Sequence, residues 1–252
     1  MNKIILITGA TSGIGKACAY QFGANESNLI LTGRRNDRLQ ELKNDLEEKF
    51  GTKVLTLCFD IRDNNQVKKA VAGIPQEWKN IDILINNAGL AVGLSKIQDG
   101  DIDDWERMID TNVKGLLYMT RAISPNMVAR KSGQIINIGS IAGKETYPFG
   151  NVYCATKHAV DSLTKAMRID MVEYGIKVTQ IAPGAVETEF SNVRFKGDDA
   201  KADSIYVGYQ PLRPEDIADA AYYCSNLPPH VNINDMLIMP IAQASSGVWH
   251  KE

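Results

Sequence analysis

The sequence predicts an α/β fold: a doubly wound parallel sheet of about seven strands with helices on both faces. Three observations carry that expectation. Strand-like and helix-like segments alternate along the 252 residues. The strand-like segments are near-continuous apolar runs, as strands buried on both faces should be. A glycine-rich turn follows the first strand and opens the first helix. With 44% apolar residues, a chain of this length can bury one full core. No internal repeat, low-complexity tract or linker divides it, so residues 1–252 are expected to form a single domain.

In chain order, Lys3–Thr8 is an apolar strand, and Gly9-Ala10-Thr11-Ser12-Gly13-Ile14-Gly15 is the turn into a helix that runs to about Phe22. Asn28–Thr32 is a second strand and Asn36–Phe50 a charged amphipathic helix. Lys53–Phe59, ending at Asp60, is a third strand, followed by a helix over Asn64–Ile74. Ile81–Ile85 is the fourth strand, turning at Asn86-Asn87-Ala88-Gly89. A long helix spans about Asp103–Ile123, and Gln134–Gly139 is a buried strand ending at Ser140. From Asn151 to Tyr174, Val160, Leu163, Ala166, Met167 and Ile169 recur at helical spacing. Ile176–Ile181, a helix over Glu215–Asn226 and a short strand at Met236–Met239 complete the pattern.

A net charge of -2 gives no basis for binding nucleic acid or an anionic membrane. Cys18, Cys58, Cys154 and Cys224 are scattered and unpaired in sequence, which suits a reducing compartment and neither a zinc site nor a disulfide framework. Met1-Asn2-Lys3 leads straight into a strand, and no apolar run approaches membrane-spanning length. These features predict a cytoplasmic protein without metal.

The chemistry converges on Tyr153 and Lys157. At i and i+4 on a helix, the phenol and the ammonium project from one face. A phenol titrates near 10, too high for proton transfer at neutrality, and a cation one turn away favours the phenolate. Ser140, at the carboxyl end of its strand, could hold a substrate oxygen within reach of Tyr153. The alternative is an ordinary helix with a solvated lysine and a half-buried tyrosine. Ligands of doubly wound sheets lie at the strands' carboxyl ends. There, Gly9, Gly13 and Gly15 let the backbone approach a pyrophosphate while the helix N-terminus supplies N–H donors. The loop residues Thr11, Ser12 and Ile14 belong to the same cradle. Arg34 and Arg35 end the second strand, where an acid would bond the ribose of NAD and an arginine accommodates the 2′-phosphate of NADP(H). They could instead be a solvated pair. Asp60, beside Ile61, could accept a hydrogen bond from adenine or cap the Asn64 helix. Asn87, Ala88 and Gly89 form a close-approach turn beside the dinucleotide.

Thr8-Gly9, Gly13-Ile14-Gly15, Asn86-Asn87-Ala88-Gly89, Asn112, Ser140, Tyr153, Lys157 and Pro183-Gly184 together resemble the short-chain dehydrogenase/reductases, over nearly the whole chain and in order. The resemblance implies a Rossmann fold and hydride transfer at a nicotinamide, with a tyrosine proton relay. Tyr153 would be the general acid/base, Lys157 would lower its pKa and hold the nicotinamide ribose, and Ser140 would orient the substrate oxygen. Asn112 would hold a water through its main chain and link Lys157 to solvent. Pro183, Gly184, Val186 and Thr188 would lie along the cofactor, near its carboxamide. By the same resemblance, the apolar faces of the Trp105–Met119 and Val160–Met167 helices would pair between subunits in a homotetramer.

The polar, irregular segment 189–212 sits where a lid over the nicotinamide would be. Within it, Arg194 could receive a substrate carboxylate, or could be a solvated loop residue. Phe190–Phe195 and Pro228–Asn234 resemble NADP-dependent dehydrogenases of 3-hydroxy acids, which act on L-allo-threonine, L-serine and 3-hydroxyisobutyrate-type compounds. The ending Met239–Ser246 departs from the Gly-Gly ending of 3-oxoacyl carrier-protein reductases. Ile138 stands where a Gly-x-Ser-x-Gly hydrolase elbow needs its first glycine. A broad NADPH-dependent reductase of ketones and aldehydes remains an alternative, and a non-enzymatic NADP(H)-binding protein would have lost one of Ser140, Tyr153 or Lys157.

Overall fold

The computed structural model describes residues 2–252; Met1 and the side chains of Ala202 and Asp203 lie outside the described residues. Its core is one seven-stranded sheet in which every pairing is parallel. The strands are β1 Ile4–Thr8, β2 Asn28–Gly33, β3 Val54–Cys58, β4 Ile83–Asn86, β5 Gln134–Ile138, β6 Lys177–Pro183 and β7 Asp235–Ile238, in spatial order β3-β2-β1-β4-β5-β6-β7. The order reverses between β1 and β4, which places a crevice above their carboxyl ends.

Because side chains alternate across a strand, each apolar run supplies both layers. Ile5 and Ile7 pack with α1 (Gly13–Ala24), α2 (Asn36–Phe50) and α9 (Pro214–Ser225). Ile4 and Leu6 pack on the other side with α3 (Asn64–Ala72), α5 (Leu116–Arg130) and α6 (Asn151–Met171). Ile5, Leu6 and Ile7 are fully buried. Each such side chain contributes about 1.5–3 kcal/mol. A register slip by one residue would exchange the two faces of β1.

Local chemistry sets the boundaries. Asp63 caps α3 by accepting from the backbone N–H of Asn65 at 2.8 Å and of Gln66 at 3.2 Å. The capping role considered for Asp60 therefore belongs to Asp63. Gly51 ends α2 in the left-handed conformation, φ 64°, which suits glycine. The long helix expected from Asp103 to Ile123 runs further, as α4 (Ile102–Ile109), a π-helical turn at Asp110–Gly115 and α5 through Pro125 to Arg130. The segment after β6 is not irregular throughout, for it contains α7 (Phe190–Arg194) and α8 (Asp199–Ser204). β6 runs to Pro183, two residues beyond the strand end expected at Ile181. Among the described residues, no helix is long and apolar enough to cross a membrane.

Candidate active site

A cavity of about 570 Å³ opens over the carboxyl ends of the strands. It gathers Gly9, Thr11, Ser12, Gly13, Ile14, Arg34, Arg35, Asp60, Ile61, Asn87, Ala88, Gly89, Ser140, Tyr153, Lys157, Pro183, Gly184, Val186, Thr188 and Arg194. Of the residues given a catalytic or binding role from sequence, Gly15 and Asn112 do not line it. Both act from behind its wall.

At one end lies the glycine-rich turn. Gly9 has φ 66°, and a Cβ there would come within 3.0 Å of the Ala88 backbone. A Cβ on Gly15 would stand 2.4 Å from the Gly9 carbonyl oxygen, so Gly15 keeps the turn folded onto itself. Asn87 reinforces the turn by donating from Nδ2 to the carbonyls of Thr8 and Gly9, at 2.9 and 3.1 Å. The Ser12 side chain does not cap α1, which leaves first-turn N–H groups available to an anion. Arg35 donates to Thr11 Oγ1 and Ser12 Oγ at 2.8 and 3.1 Å, and lies 3.3 Å from Glu189. Glu189 also binds Arg38, at 2.8 Å. An acid thus reaches the arginines from the segment after β6, where the second strand itself supplies none. Arg34 is exposed and makes no ion pair among the described residues. Asp60 is held by Arg62 at 2.6 Å, and that guanidinium keeps its carboxyl below the usual range despite partial burial. Close backbone, free N–H donors and an unpaired arginine fit a phosphorylated dinucleotide.

At the other end, Ser140, Tyr153 and Lys157 meet. Ser140 follows β5, and its Oγ accepts from the Ala142 N–H at 3.1 Å, which leaves the hydroxyl proton to donate toward Tyr153 or a substrate oxygen. Tyr153 and Lys157 point inward from α6 and are 8% and 7% exposed. The Lys157 ammonium donates to the Ile138 carbonyl at 3.0 Å. Behind them, Asn112 sits in the π-helical turn. Its side chain accepts from the Leu90 N–H and donates to the Leu90 carbonyl, each at 2.8 Å, and donates to Thr156 Oγ1 at 3.0 Å. Such turns are rare and recur at functional sites. This one pins the loop after β4 to α6.

Burial dominates the electrostatics at Tyr153 and Lys157. Burial pushes the Tyr153 phenol well above its ordinary value, with neighbouring Tyr147 adding to the rise. The Ser140 hydroxyl and the Arg194 guanidinium act against it. Burial also lowers Lys157, to about 8. The reason is geometric. The helix turns both side chains inward, where desolvation penalises both charged forms, and Lys157 Nζ stands 6.0 Å from the Tyr153 ring centre.

Several cavity residues carry no local sequence signal. Tyr147 lies in the short turn between Ser140 and α6 and bonds to Arg194. Gln243 comes from the C-terminal segment, where its Oε1 accepts from Ala185 N–H at 2.9 Å, and Ser246 and Trp249 line the same wall. Their positions depend on tertiary contacts with the segment after β6. Phe190, in the segment after β6, packs edge-on to the Tyr153 ring at 5.6 Å.

The family model for short chain dehydrogenases matches residues 3–199. An NADP-dependent 3-hydroxy acid dehydrogenase of Salmonella typhi is 48% identical over 246 residues, covering 97% of this chain and 98% of that protein. Sulfoacetaldehyde reductase 2 of Chromohalobacter salexigens is 43% identical, covering 98% of each. Among solved structures, the closed form of a serine dehydrogenase complexed with NADP+ superposes with a TM-score of 0.93 at 47% identity, over 99% of this chain and 100% of that one. Residues, fold and full-length likeness agree, and the chain belongs to the short-chain dehydrogenase family.

Proposed function

We propose that the protein is an NADP(H)-dependent oxidoreductase that interconverts small 3-hydroxy acids and the corresponding 3-oxo acids. The balanced reaction is 3-hydroxy acid + NADP+ → 3-oxo acid + NADPH + H+. The observation that carries the reading is the convergence of Ser140, Tyr153 and Lys157 at one end of a single cavity, with the glycine turn and Arg34 at the other.

In this reading NADP(H), when bound, supplies the hydride chemistry. The glycine turn and the N-terminus of α1 hold its phosphates, Arg34 and Arg35 its 2′-phosphate, and Thr188, Gly184 and Lys157 its nicotinamide end. The chain moves the proton. Tyr153 takes the hydroxyl proton of the substrate, and Ser140 donates a hydrogen bond to the same oxygen. Lys157, lowered to about 8, can exchange a proton near neutrality. The Asn112 turn holds Lys157's surroundings and its path to solvent. Arg194 receives the carboxylate. Its guanidinium lies 5.4 Å from the Tyr153 ring centre and lines the same cavity; a 3-hydroxy acid carries its anionic group two bonds from its hydroxyl carbon. The same spacing occurs in a 2-sulfo aldehyde, the substrate type in the name of the Chromohalobacter relative.

The aromatic side chains Tyr147, Phe190, Tyr206 and Trp249 on the substrate wall favour a second reading, reduction of neutral ketones and aldehydes. Residues 189–212 act as the lid of a single domain in either case. We further infer a cytoplasmic homotetramer. Ile102, Ile109, Leu117 and Ile169 are exposed on the helices expected to pair, and a second copy would cover them. Tyr153→Phe tests the mechanism: turnover should fall by about 10²–10⁴-fold with NADPH affinity kept. Unimpaired turnover would remove Tyr153 from the proton step.

A further inference from the structure

Residues 242–250 fold into a hairpin beside the substrate end of the cavity. Gln243 and Trp249 face each other in an antiparallel bridge. The His250 N–H donates to the Ala242 carbonyl at 2.9 Å, and the Ala244 N–H to the Val248 carbonyl at 3.0 Å. At the tip, Ser245 Oγ accepts from the Val248 N–H at 3.1 Å. A two-stranded hairpin is marginal by itself in water. This one keeps its shape through what it is fastened to.

Three different walls hold it. Gln243 is buried against the end of β6, where its Oε1 accepts from the Ala185 N–H at 2.9 Å. The Ser246 N–H donates to Glu145 Oε2 at 2.8 Å, in the turn that leads from Ser140 to Tyr147. Just beyond the hairpin, Lys251 Nζ donates to the Ile205 carbonyl at 3.2 Å and the Glu252 N–H to the Gly208 carbonyl at 2.9 Å. Both of these acceptors belong to segment 189–212.

Trp249 is the large side chain that this fastening presents to the site. It lines the cavity with Tyr206 and Ser246. Tyr209 stands behind it, outside the cavity lining, with ring centres 5.0 Å apart and planes tilted by 54°. The Lys251 ammonium lies 5.2 Å from the Tyr209 ring centre and 6.0 Å from that of Trp249. A rigid indole backed by a second ring and a cation makes a firm wall.

We infer that this hairpin is the size filter of the substrate end: Trp249 is the specificity-determining residue, and Tyr209 and the Ser246–Glu145 bond position it. The inference rests on the oxidoreductase reading above and adds to it the class of substrate admitted, short chains whichever head group they carry. The cavity of about 570 Å³ must take cofactor and substrate together. With a dinucleotide along the glycine turn, the remaining room lies between Tyr153 and the hairpin, and the indole fills the space a longer chain would need. The bonds from Lys251 and Glu252 to Ile205 and Gly208 make the indole move with the segment that covers the substrate, so closure and size selection are one event.

The test compares wild type with Trp249→Ala, Trp249→Phe, Tyr209→Leu and Glu145→Ala on two pairs of substrates, each oxidised with NADP+: 3-hydroxybutyrate with 3-hydroxyoctanoate, and 2-butanol with 2-octanol. Wild type should favour the short member of each pair it turns over. In Trp249→Ala the long-to-short ratio of kcat/KM should rise at least about tenfold, because the fit of a single methylene in an apolar pocket changes discrimination by about 10–200-fold. Trp249→Phe should give a smaller rise. Tyr209→Leu and Glu145→Ala should raise the ratio several-fold, mainly through KM of the long member, although neither change trims the indole. NADPH titration shows that each variant keeps a folded cofactor end. A merely structural tryptophan would lower kcat/KM for long and short members alike, and that result in either folded Trp249 variant would overturn the filter. A wild type that prefers the long members would overturn it as well. If wild type oxidised the alcohols and no hydroxy acid, the acid reading would fail while the alcohol pair still decided the filter; turnover of neither pair would overturn both.

Discussion

The Lys157 ammonium donates a 3.0 Å hydrogen bond to the carbonyl of Ile138, the last residue of β5. That bond joins the helix carrying Tyr153 to the strand that ends just before Ser140, so one contact fixes the separation of the three groups. It also keeps a lysine buried. Burial lowers Lys157 to about 8.

The sign of its effect on stability follows. The unfolded chain, with an ordinary lysine near 10.4, binds more protons than the folded protein between about pH 8 and that value. Lys157 therefore opposes folding below about pH 8, and the penalty fades as pH rises through this window. Lys157→Met should raise folding stability at pH 7 by about 1–2 kcal/mol, after subtracting the lost hydrogen bond. The gain should shrink by pH 10, and turnover should be nearly abolished. Urea unfolding at the two pH values checks it. No gain at either pH contradicts a costly buried lysine.

Arg34 makes no ion pair among the described residues, and Arg35 is shared between Thr11, Ser12 and Glu189. Replacing both arginines by alanine should weaken NADPH by about 10–100-fold, the scale of one or two charge-assisted hydrogen bonds. NADH, without the 2′-phosphate, should change little. Glu189→Gln should strengthen NADPH by a few-fold, since it removes a competing carboxylate. Titration of protein fluorescence with each cofactor measures both, and equal losses for NADPH and NADH would remove the arginines from phosphate recognition.

Gly15→Ala should damage the cofactor end specifically. Its Cβ would fall 2.4 Å from the Gly9 carbonyl oxygen and from Asn87 Nδ2, so the turn must open. Cofactor affinity should drop at least tenfold with the far-UV spectrum kept. Wild-type affinity would show that the turn tolerates a methyl group.

Leu84 lies mid-strand in β4 and is fully buried. Leu84→Ala should cost about 2–5 kcal/mol of stability, as transfer and cavity terms combine. A shift in the urea midpoint under 1 kcal/mol would indicate that the neighbouring α5 collapses into the gap.

The strands and their order in the sequence were legible because each is an apolar run bounded by turn residues, and the glycine turn and the Tyr153–Lys157 spacing are local patterns. Both lie along the cavity above the strands' carboxyl ends. The long helix continues past Ile123 through Pro125 to Arg130, an extension the apolar pattern does not signal. The π-helical turn around Asn112 has no periodic signature either. What escaped most was electrostatic. Spacing alone puts a cation one turn from Tyr153, but only the fold reveals how deeply both groups are buried and that Arg194, forty-one positions further on, stacks over the same ring. Glu189 beside Arg35, and Trp249 at the substrate wall, likewise depend on contacts between segments far apart in sequence.

The most direct measurement of the central claim is the initial rate of NADP+ and NAD+ reduction with 3-hydroxyisobutyrate, L-serine and L-allo-threonine, beside simple secondary alcohols. The account predicts turnover of the hydroxy acids with NADP+ and at least tenfold lower kcat/KM with NAD+. Oxidation of neutral alcohols alone, or equal use of the two cofactors, would contradict it.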